Sequence, residues 1–309
     1  MLDQKAVVAK LRKVKAKRVL VQFPEGLKTR VFETARLLEK SGFEVIVMVE
    51  PCFGACDLRD AEARRLGCDA LLHIGHSDMG LHHLVPVVYD EYRMDFDPVK
   101  GLRRGLKMLR GFRTVGLVSA IQYNKSLAIA KGFLKKNRIN ALIGESGGLR
   151  EGQVLGCNYS SAKSIESKVE CFLFIGSGRF HPLGLLQSTD KPVFFLDAEK
   201  NELTDMSGER KRLEIKRRLR IEKARGMRNF GIFVSTKPGQ FDIGSARHLK
   251  SMLDKKGRKA LVIVADALTS EKLMGIGIEV LVNTACRRIS DDQKSLGVIV
   301  LSPEDAEEL

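Results

Sequence analysis

Hydrophobic positions in this chain come in short, dense bursts separated by charged segments. The bursts are KRVLVQF, FEVIVMV, DALLHI and LVPVVY in the first part of the chain. RTVGLVS, NALIGES, GQVLGCN, ECFLFIG and PVFFLD follow, then NFGIFVS, KALVIVA, IEVLVNT and LGVIVLS. Each is short, rich in Val, Ile, Leu and Phe, and most lack a polar face. That is the pattern of strands buried on both sides in a parallel sheet. The segments between them predict helices over 29–40, 127–136 and 246–255, with further helices near Ala162 and Ser270. Strand and helix alternate throughout, so the fold class is α/β.

The pattern also repeats. Opening strands start near Arg18, Arg113 and Arg228, and DALLHI, ECFLFIG and IEVLVNT begin about 50 to 57 residues after them. A near-constant offset predicts copies of one supersecondary unit. The expectation is three pseudo-repeated small parallel-sheet α/β domains, at 1–100, 101–205 and 206–309. The joins differ. Residues 95–112 read as a loop and a short helix. Residues 199–228 hold a very basic helix on which Ile215 and Leu219, one turn apart, bury a narrow edge. Leu213 and Ile221 point elsewhere, so there is no wide apolar stripe and the helix reads as a solvated connector. The N-terminal MLDQKAVVAKLRKVKAK places Val7, Val8 and Leu11 at helical spacing, an amphipathic cap. The acidic SPEDAEEL at the C-terminus reads as a short surface helix.

Charge narrows the list of partners. The formal net charge is +15 over 309 residues, which calls for an acidic partner such as an acidic protein or RNA. There is no Trp and only four Tyr, too few for an aromatic platform that stacks bases, so no direct nucleic-acid binding is expected. No apolar run approaches the roughly 20 residues that cross a bilayer, and the N-terminus lacks the apolar centre of a signal peptide. The expected location is the cytoplasm. There the six cysteines serve as metal ligands or buried thiols rather than disulfides.

Cys56 lies in a small-residue turn just past FEVIVMV, where open α/β sheets place their ligands. Cys157 in GQVLGCN and Cys286 in NTACRRISDD fall one in each later repeat. The reading is that these three thiolates hold one iron–sulfur cluster. A [4Fe–4S] cluster usually takes four cysteines. With three, one iron keeps an open position, as a catalytic zinc does. Cys68 and Cys171 border or enter apolar strands and read as core residues. Cys52, four positions before Cys56, is either a further ligand or a turn thiol near the site, and the turn thiol is the preferred reading. His76, His82 and His83 invite a zinc site, but no cysteine or carboxylate stands at metal spacing from them.

The motifs QFPEGL (22–27), FGACD (53–57), GHS (75–77), GQVLGC (152–157), GSGRFHPLG (176–184) and NTAC-x-R (283–288) together resemble the archaeal diphthamide synthases, the 2-(3-amino-3-carboxypropyl)histidine synthase family. The resemblance spans nearly the whole chain. It implies three α/β domains around a central cluster site, with Cys56, Cys157 and Cys286 as ligands of a [4Fe–4S] cluster, in a homodimer. It implies noncanonical radical use of S-adenosylmethionine, cleaved between sulfur and Cγ to release methylthioadenosine. The 3-amino-3-carboxypropyl group passes to a histidine of translation elongation factor 2, with an electron donor the sequence does not identify. Arg287 departs from the Pro expected there, which touches the rigidity of the loop and leaves the ligand in place. The cosubstrate's carboxylate and amino group need fixed partners. Candidates are Gly176-Ser177-Gly178, if a helix follows to aim N–H groups at an anion, and Arg288 as a carboxylate clamp. Gln22, Glu25, His76, Ser77 and His181 are the other candidate contacts. Quinolinate synthase has a similar three-domain layout and is the rival enzyme. A basic RNA- or ribosome-binding protein with structural thiols is the rival of another class.

Overall fold

The structure is a computed structural model, and it describes residues 4–291 and 293–309. The strands are β1 (Arg18–Gln22), β2 (Glu44–Met48), β3 (Ala70–Ile74), β4 (Val87–Asp90), β5 (Thr114–Ser119), β6 (Asn140–Ile143) and β7 (Cys171–Gly176). They continue as β8 (Val193–Asp197), β9 (Glu202–Asp205), β10 (Asn229–Ser235), β11 (Lys259–Ala265), β12 (Val280–Asn283) and β13 (Ile299–Leu301). Among the described residues they form three sheets, in the orders β2-β1-β3-β4, β6-β5-β7-β8-β9 and β11-β10-β12-β13. The first two sheets lie in one compact unit, Met1–Asp205, and the third in a second, Met206–Leu309.

The same order recurs three times, and so does the register. Val19 pairs with Ala70, Val115 with Cys171 and Phe230 with Val280. One device holds the amino ends of these strands. The acidic residue just before the third strand of each repeat accepts two successive backbone N–H groups at the start of the first strand. Asp69 takes those of Lys17 and Arg18, both at 2.8 Å. Glu279 takes those of Arg228 and Asn229, both at 2.9 Å. Glu170 takes those of Arg113 and Thr114. A carboxylate that bridges two amides at a strand end satisfies donors that lack a ladder partner there, and it pins one strand against the next. These hydrogen bonds pull Asp69 and Glu279 below the ordinary carboxyl range.

The central strands β1, β3, β5, β7, β10 and β12 are buried because their side chains are mostly apolar on both faces. β1, β3 and the N-terminal helix Gln4–Lys13 share one core through Leu11, Val19, Val21, Ala70 and Leu72. Val7 and Leu11 are buried there as the cap helix requires. Met1–Asp3 of that stretch lie outside the described residues. β5 and β7 build the second core with Leu117, Leu127, Leu173 and Ile175. β10 and β12 build the third with Phe230, Ile232, Val280 and Val282.

The structure departs from the sequence expectation at three places. GQVLGCN forms no strand. Gln153 makes an isolated bridge to Ser119, and Leu155 bridges Asn158. β9 was not anticipated. It is a short antiparallel edge strand on β8, and Glu202, Thr204 and Asp205 face water, so it carries little apolar signal. On the basic helix Ser207–Arg225 the buried edge is Ile221 and Ala224, at 3% and 0% exposure, while Ile215 and Leu219 are 51% and 55% exposed. Arg217 explains the rotation: it binds Asp305 of the C-terminal helix Pro303–Glu307 at 2.6 Å and Glu308 just past that helix, which turns the Ile221 side inward.

The carboxylate bridges give a pH signature. A group whose folded-state value is depressed contributes stability that is full above its unfolded value and is lost as pH falls through the folded one. The thermal unfolding midpoint should therefore fall steadily below about pH 4. An Asp69→Asn, Glu279→Gln double variant should unfold earlier than the wild type at neutral pH and show a shallower decline in acid. Calorimetric melts across pH read both effects.

Candidate functional site

The site begins at the carboxyl ends of β1 and β3. Gln22 closes β1 and His73 sits one residue before the end of β3, and the ladder pairs the two. Both are fully buried among apolar strands, so their polar atoms need partners inside the protein. The Gln22 side-chain N–H donates to the carbonyl of Asp57 at 2.7 Å. Its amide oxygen therefore faces His73 Nδ1, 3.1 Å away. An amide oxygen only accepts, so Nδ1 carries the proton and His73 Nε2 is left with its lone pair. That nitrogen lies 3.0 Å from His76 Nδ1, which donates to it. The outcome is a fixed chain, Asp57 carbonyl to Gln22 to His73 to His76.

Both imidazoles are held neutral. Burial pushes His73 well below its ordinary value, with repulsion from His76 and His83 adding to the effect. Burial also takes His76 from 6.5 to about 4, with His181 contributing. Gly75 makes the chain possible. Its φ is +100°, and a Cβ there would stand 2.9 Å from Cγ of Pro24. Only glycine accepts both conditions without strain, and the resulting reversal brings His76 back beside His73.

A turn over 50–59 covers this strand end. Asp57, fully buried, accepts the N–H of Phe53 at 3.3 Å and pairs with Arg59 at 3.3 Å. Cys56 is half-buried on that turn, and Cys52 is buried. Cys52 comes in from the β2 side, and its sulfur and one ring nitrogen each of His73 and His76 lie within 4.8 Å of one another. Sequence spacing concealed this group. The histidines that stand together in the sequence, His76, His82 and His83, are set aside there as a metal site, and the structure does not gather them as one. His82 is exposed, and His83 lies 4.0 Å from Asp78 and beside Tyr89. The one local signal for His73, not drawn on in the sequence reading, is that it is a lone polar residue inside the otherwise apolar run ALLHI.

The second sheet of the same unit meets the first here. Ser77 and Gln153 exchange hydrogen bonds at 3.2–3.4 Å, and the Gln122 amide donates to the carbonyl of Gly75 at 3.4 Å. Four residues past Gln153 the chain makes a tight reversal, with Leu155 and Asn158 bonded in both directions at 2.9 and 3.2 Å. Cys157 is exposed at its tip. The preceding Gly156 lies flat on Phe180: a Cβ there would fall 2.1 Å from the ring. Phe180 opens the helix Phe180–Ser188 that follows Gly176-Ser177-Gly178, so the helix required by the anion-cradle expectation is present. His181 stacks on Phe174 with rings 5.9 Å apart and 7° from parallel. Glu25 is exposed and pairs with Lys28 at 2.6 Å.

The second unit carries Cys286 by itself. Asn283 ends β12, and its side chain donates to the carbonyl of Cys286 at 2.8 Å and accepts the N–H of Ala285 at 3.1 Å. Thr284 donates to the carbonyl of Phe233 at 2.7 Å. The loop is thus clamped from within, with Cys286 half-buried and Arg288 exposed at the start of a one-turn helix. The three cysteines do not occupy equivalent places. Cys56 and Cys157 follow the second strand of their repeats, and Cys286 follows the third. By strand register, the repeat position of Cys286 belongs to His76 in the first sheet and to Ser177 in the second.

Comparison with known proteins gives a consistent answer. A sequence model of the family described as "Putative diphthamide synthesis protein" matches residues 23–309. The chain is 36% identical to 2-(3-amino-3-carboxypropyl)histidine synthase of Pyrococcus horikoshii, over 99% of this chain and 89% of that one. It is 28% identical to subunit 1 of the corresponding synthase of Kluyveromyces lactis, over 91% of this chain and 68% of that one. Among solved structures it resembles Dph2 from Pyrococcus horikoshii with a 4Fe-4S cluster, with a TM-score of 0.93 and 36% identity over 100% of this chain and 90% of that one.

Replacing Gly75 by Ala should destabilise the protein by about 2 kcal/mol, since it forces an unfavourable backbone conformation against Pro24. The midpoint of urea unfolding measures this, and Gly26→Ala, where an added Cβ meets nothing within 4 Å, is the control.

Proposed function

The chain belongs to the diphthamide synthesis protein family, and from that premise we propose that it is a 2-(3-amino-3-carboxypropyl)histidine synthase. It transfers the 3-amino-3-carboxypropyl group of S-adenosylmethionine to a histidine of translation elongation factor 2 and releases methylthioadenosine. The observation that carries this reading is the division of the cysteines. Cys56, Cys157 and Cys286 stand on loops beyond strand ends, one per repeat, exposed or half-buried. Cys68 and Cys171 are buried core residues, and burial pushes their thiols up, Cys171 to about 12. Thiolates are the ligating form, so the loop set fits a [4Fe–4S] cluster and the core pair does not. Cys56, Cys157 and Cys286 would hold it. When bound, the cluster supplies the electron that opens the bond between sulfur and Cγ of S-adenosylmethionine.

The remaining residues bind and orient. Gln22 is fully enclosed, so it acts on the cosubstrate by positioning His73 and His76. His76, with Nδ1 turned to His73, presents Nε2 to the cosubstrate. Ser77 holds the second sheet to the first through Gln153. Gly176, Ser177 and Gly178 at the head of Phe180–Ser188 offer backbone N–H groups to a carboxylate. His181, Glu25 and Arg288 complete the proposed contacts, Arg288 as a carboxylate clamp. The enzyme works as a homodimer of chains with domains at 1–100, 101–205 and 206–309, in the cytoplasm, fed by a separate electron donor. Among the described residues no helix is long and apolar enough to cross a membrane.

The test is product analysis on protein reconstituted without oxygen, reduced with dithionite and given S-adenosylmethionine. Methylthioadenosine formed only with reductant is the expected result. Deoxyadenosine, or no product from a cluster-loaded protein, would overturn the reading. Cys56→Ala, Cys157→Ala and Cys286→Ala should each lose most of the iron and all cleavage, while Cys68→Ala and Cys171→Ala should change stability alone. The charge of +15 makes a separate prediction, because encounter between opposite charges is screened by salt. Transfer to the protein acceptor should fall with ionic strength while cleavage of the cosubstrate alone does not.

A further inference from the structure

The group formed by Cys52, His73 and His76 uses none of the three loop cysteines. We infer that these residues form a second metal site, for a single Zn2+-type dication with one sulfur and two nitrogen donors and an open fourth position. Four observations carry the inference. The donor atoms converge from two separate segments to within 4.8 Å of one another. The two ring nitrogens stand 3.0 Å apart, close to the edge of about 3.3 Å that a tetrahedral ion sets with Zn–N bonds near 2.0–2.1 Å. The far nitrogen of His73 donates to Gln22, which is itself held by the Asp57 carbonyl. That is the outer support a metal-bound imidazole needs to fix its orientation and raise its basicity. Cys52 and His73 are buried, so an ion held between them is shielded from water, and a borderline-soft set of one sulfur and two imidazoles selects zinc over magnesium or calcium.

Binding balances simply. Cys52 gives up its thiol proton to solvent. His73 already presents a lone pair at Nε2. His76 moves its proton from Nδ1 to Nε2, so its outward nitrogen becomes a donor. The ion ties the irregular 50–59 turn, which carries Cys56, to the end of β3. The inference does not rest on the proposed reaction, and its test separates the two. Full-length protein, with its iron–sulfur cluster reconstituted, is equilibrated with Zn2+ and freed of excess by gel filtration. Zinc and iron are counted by mass spectrometry, and the zinc coordination is read by X-ray absorption at the zinc edge.

The expected result is one zinc per chain, bound by one sulfur and two nitrogens. Cys52→Ala and His76→Gln should each retain less than about a tenth of the zinc and keep their iron. Gln22→Leu should weaken zinc binding about 10–100-fold. Cys157→Ala should lose iron and keep zinc, and His82→Ala should keep both. Wild-type protein that holds no zinc would overturn the inference and leave a hydrogen-bonded histidine pair. A zinc bound by three sulfurs and lost in Cys157→Ala would overturn it too. If Cys52→Ala does not fold, the ligand count at the zinc edge of the wild type decides alone.

Discussion

The register between the first and third strands of each repeat is the constraint on which the rest of the structure depends. Every sheet has these two strands at its centre, and the same pairing recurs in all three. The carboxylates of Asp69, Glu170 and Glu279 lock the amino ends of the pairs. The carboxyl ends are then delivered in step, since a slip of one residue would turn every side chain to the other face. In the first sheet this sets His73 beside Gln22. In the third it sets Asn283 beside Phe233, where Asn283 can clamp the Cys286 loop. The repeated scaffold is conservative at its amino edge and varied at its carboxyl edge, where open α/β sheets carry their chemistry.

The first repeat bears the cost of this arrangement. Burying Gln22, His73 and Asp57 in an apolar sheet end would be unfavourable by several kcal/mol if their polar atoms lacked partners. Each of these side chains makes hydrogen bonds instead, and the backbone carbonyl of Asp57, with Gln22 and His73, defines the direction of every proton along the chain to His76. The network also joins the sheets of the first unit, since residues 75–77 meet Gln122 and Gln153. A buried network of this kind holds one geometry because any other leaves a donor or acceptor stranded.

Much of the architecture was legible in the sequence. The strands appear as short apolar runs because both faces are buried, and the repeat appears as a constant offset between them. The core roles of Cys68 and Cys171 followed from their apolar neighbours. What escaped notice had little or no local signal. β9 is an edge strand with polar residues outward. The buried side of Ser207–Arg225 was set by Arg217 reaching Asp305 across a long stretch of chain, while the apolar pattern of the helix pointed to Ile215 and Leu219. GQVLGCN looked like a strand, yet Gly156 lies against Phe180 and the segment folds into a tight reversal.

The candidate site divides along the same line. Loop cysteines, a glycine turn after β7 and the Gly75-His76-Ser77 strand end were visible as local motifs, because turn chemistry and strand termination are written in adjacent residues. The meeting of Cys52 with His73 and His76 was not. Cys52 follows β2, and the histidines belong to β3 and the turn beyond it. β1 lies between the two strands in the sheet, so nothing in the spacing records their approach. By itself the sequence determined the α/β class, the threefold repeat and the cysteines that lie outside the core, since those depend on hydrophobic period and local burial. Only the tertiary structure decided which polar groups meet at the strand ends. Contact there depends on strand order and register, which bring together residues far apart in the chain.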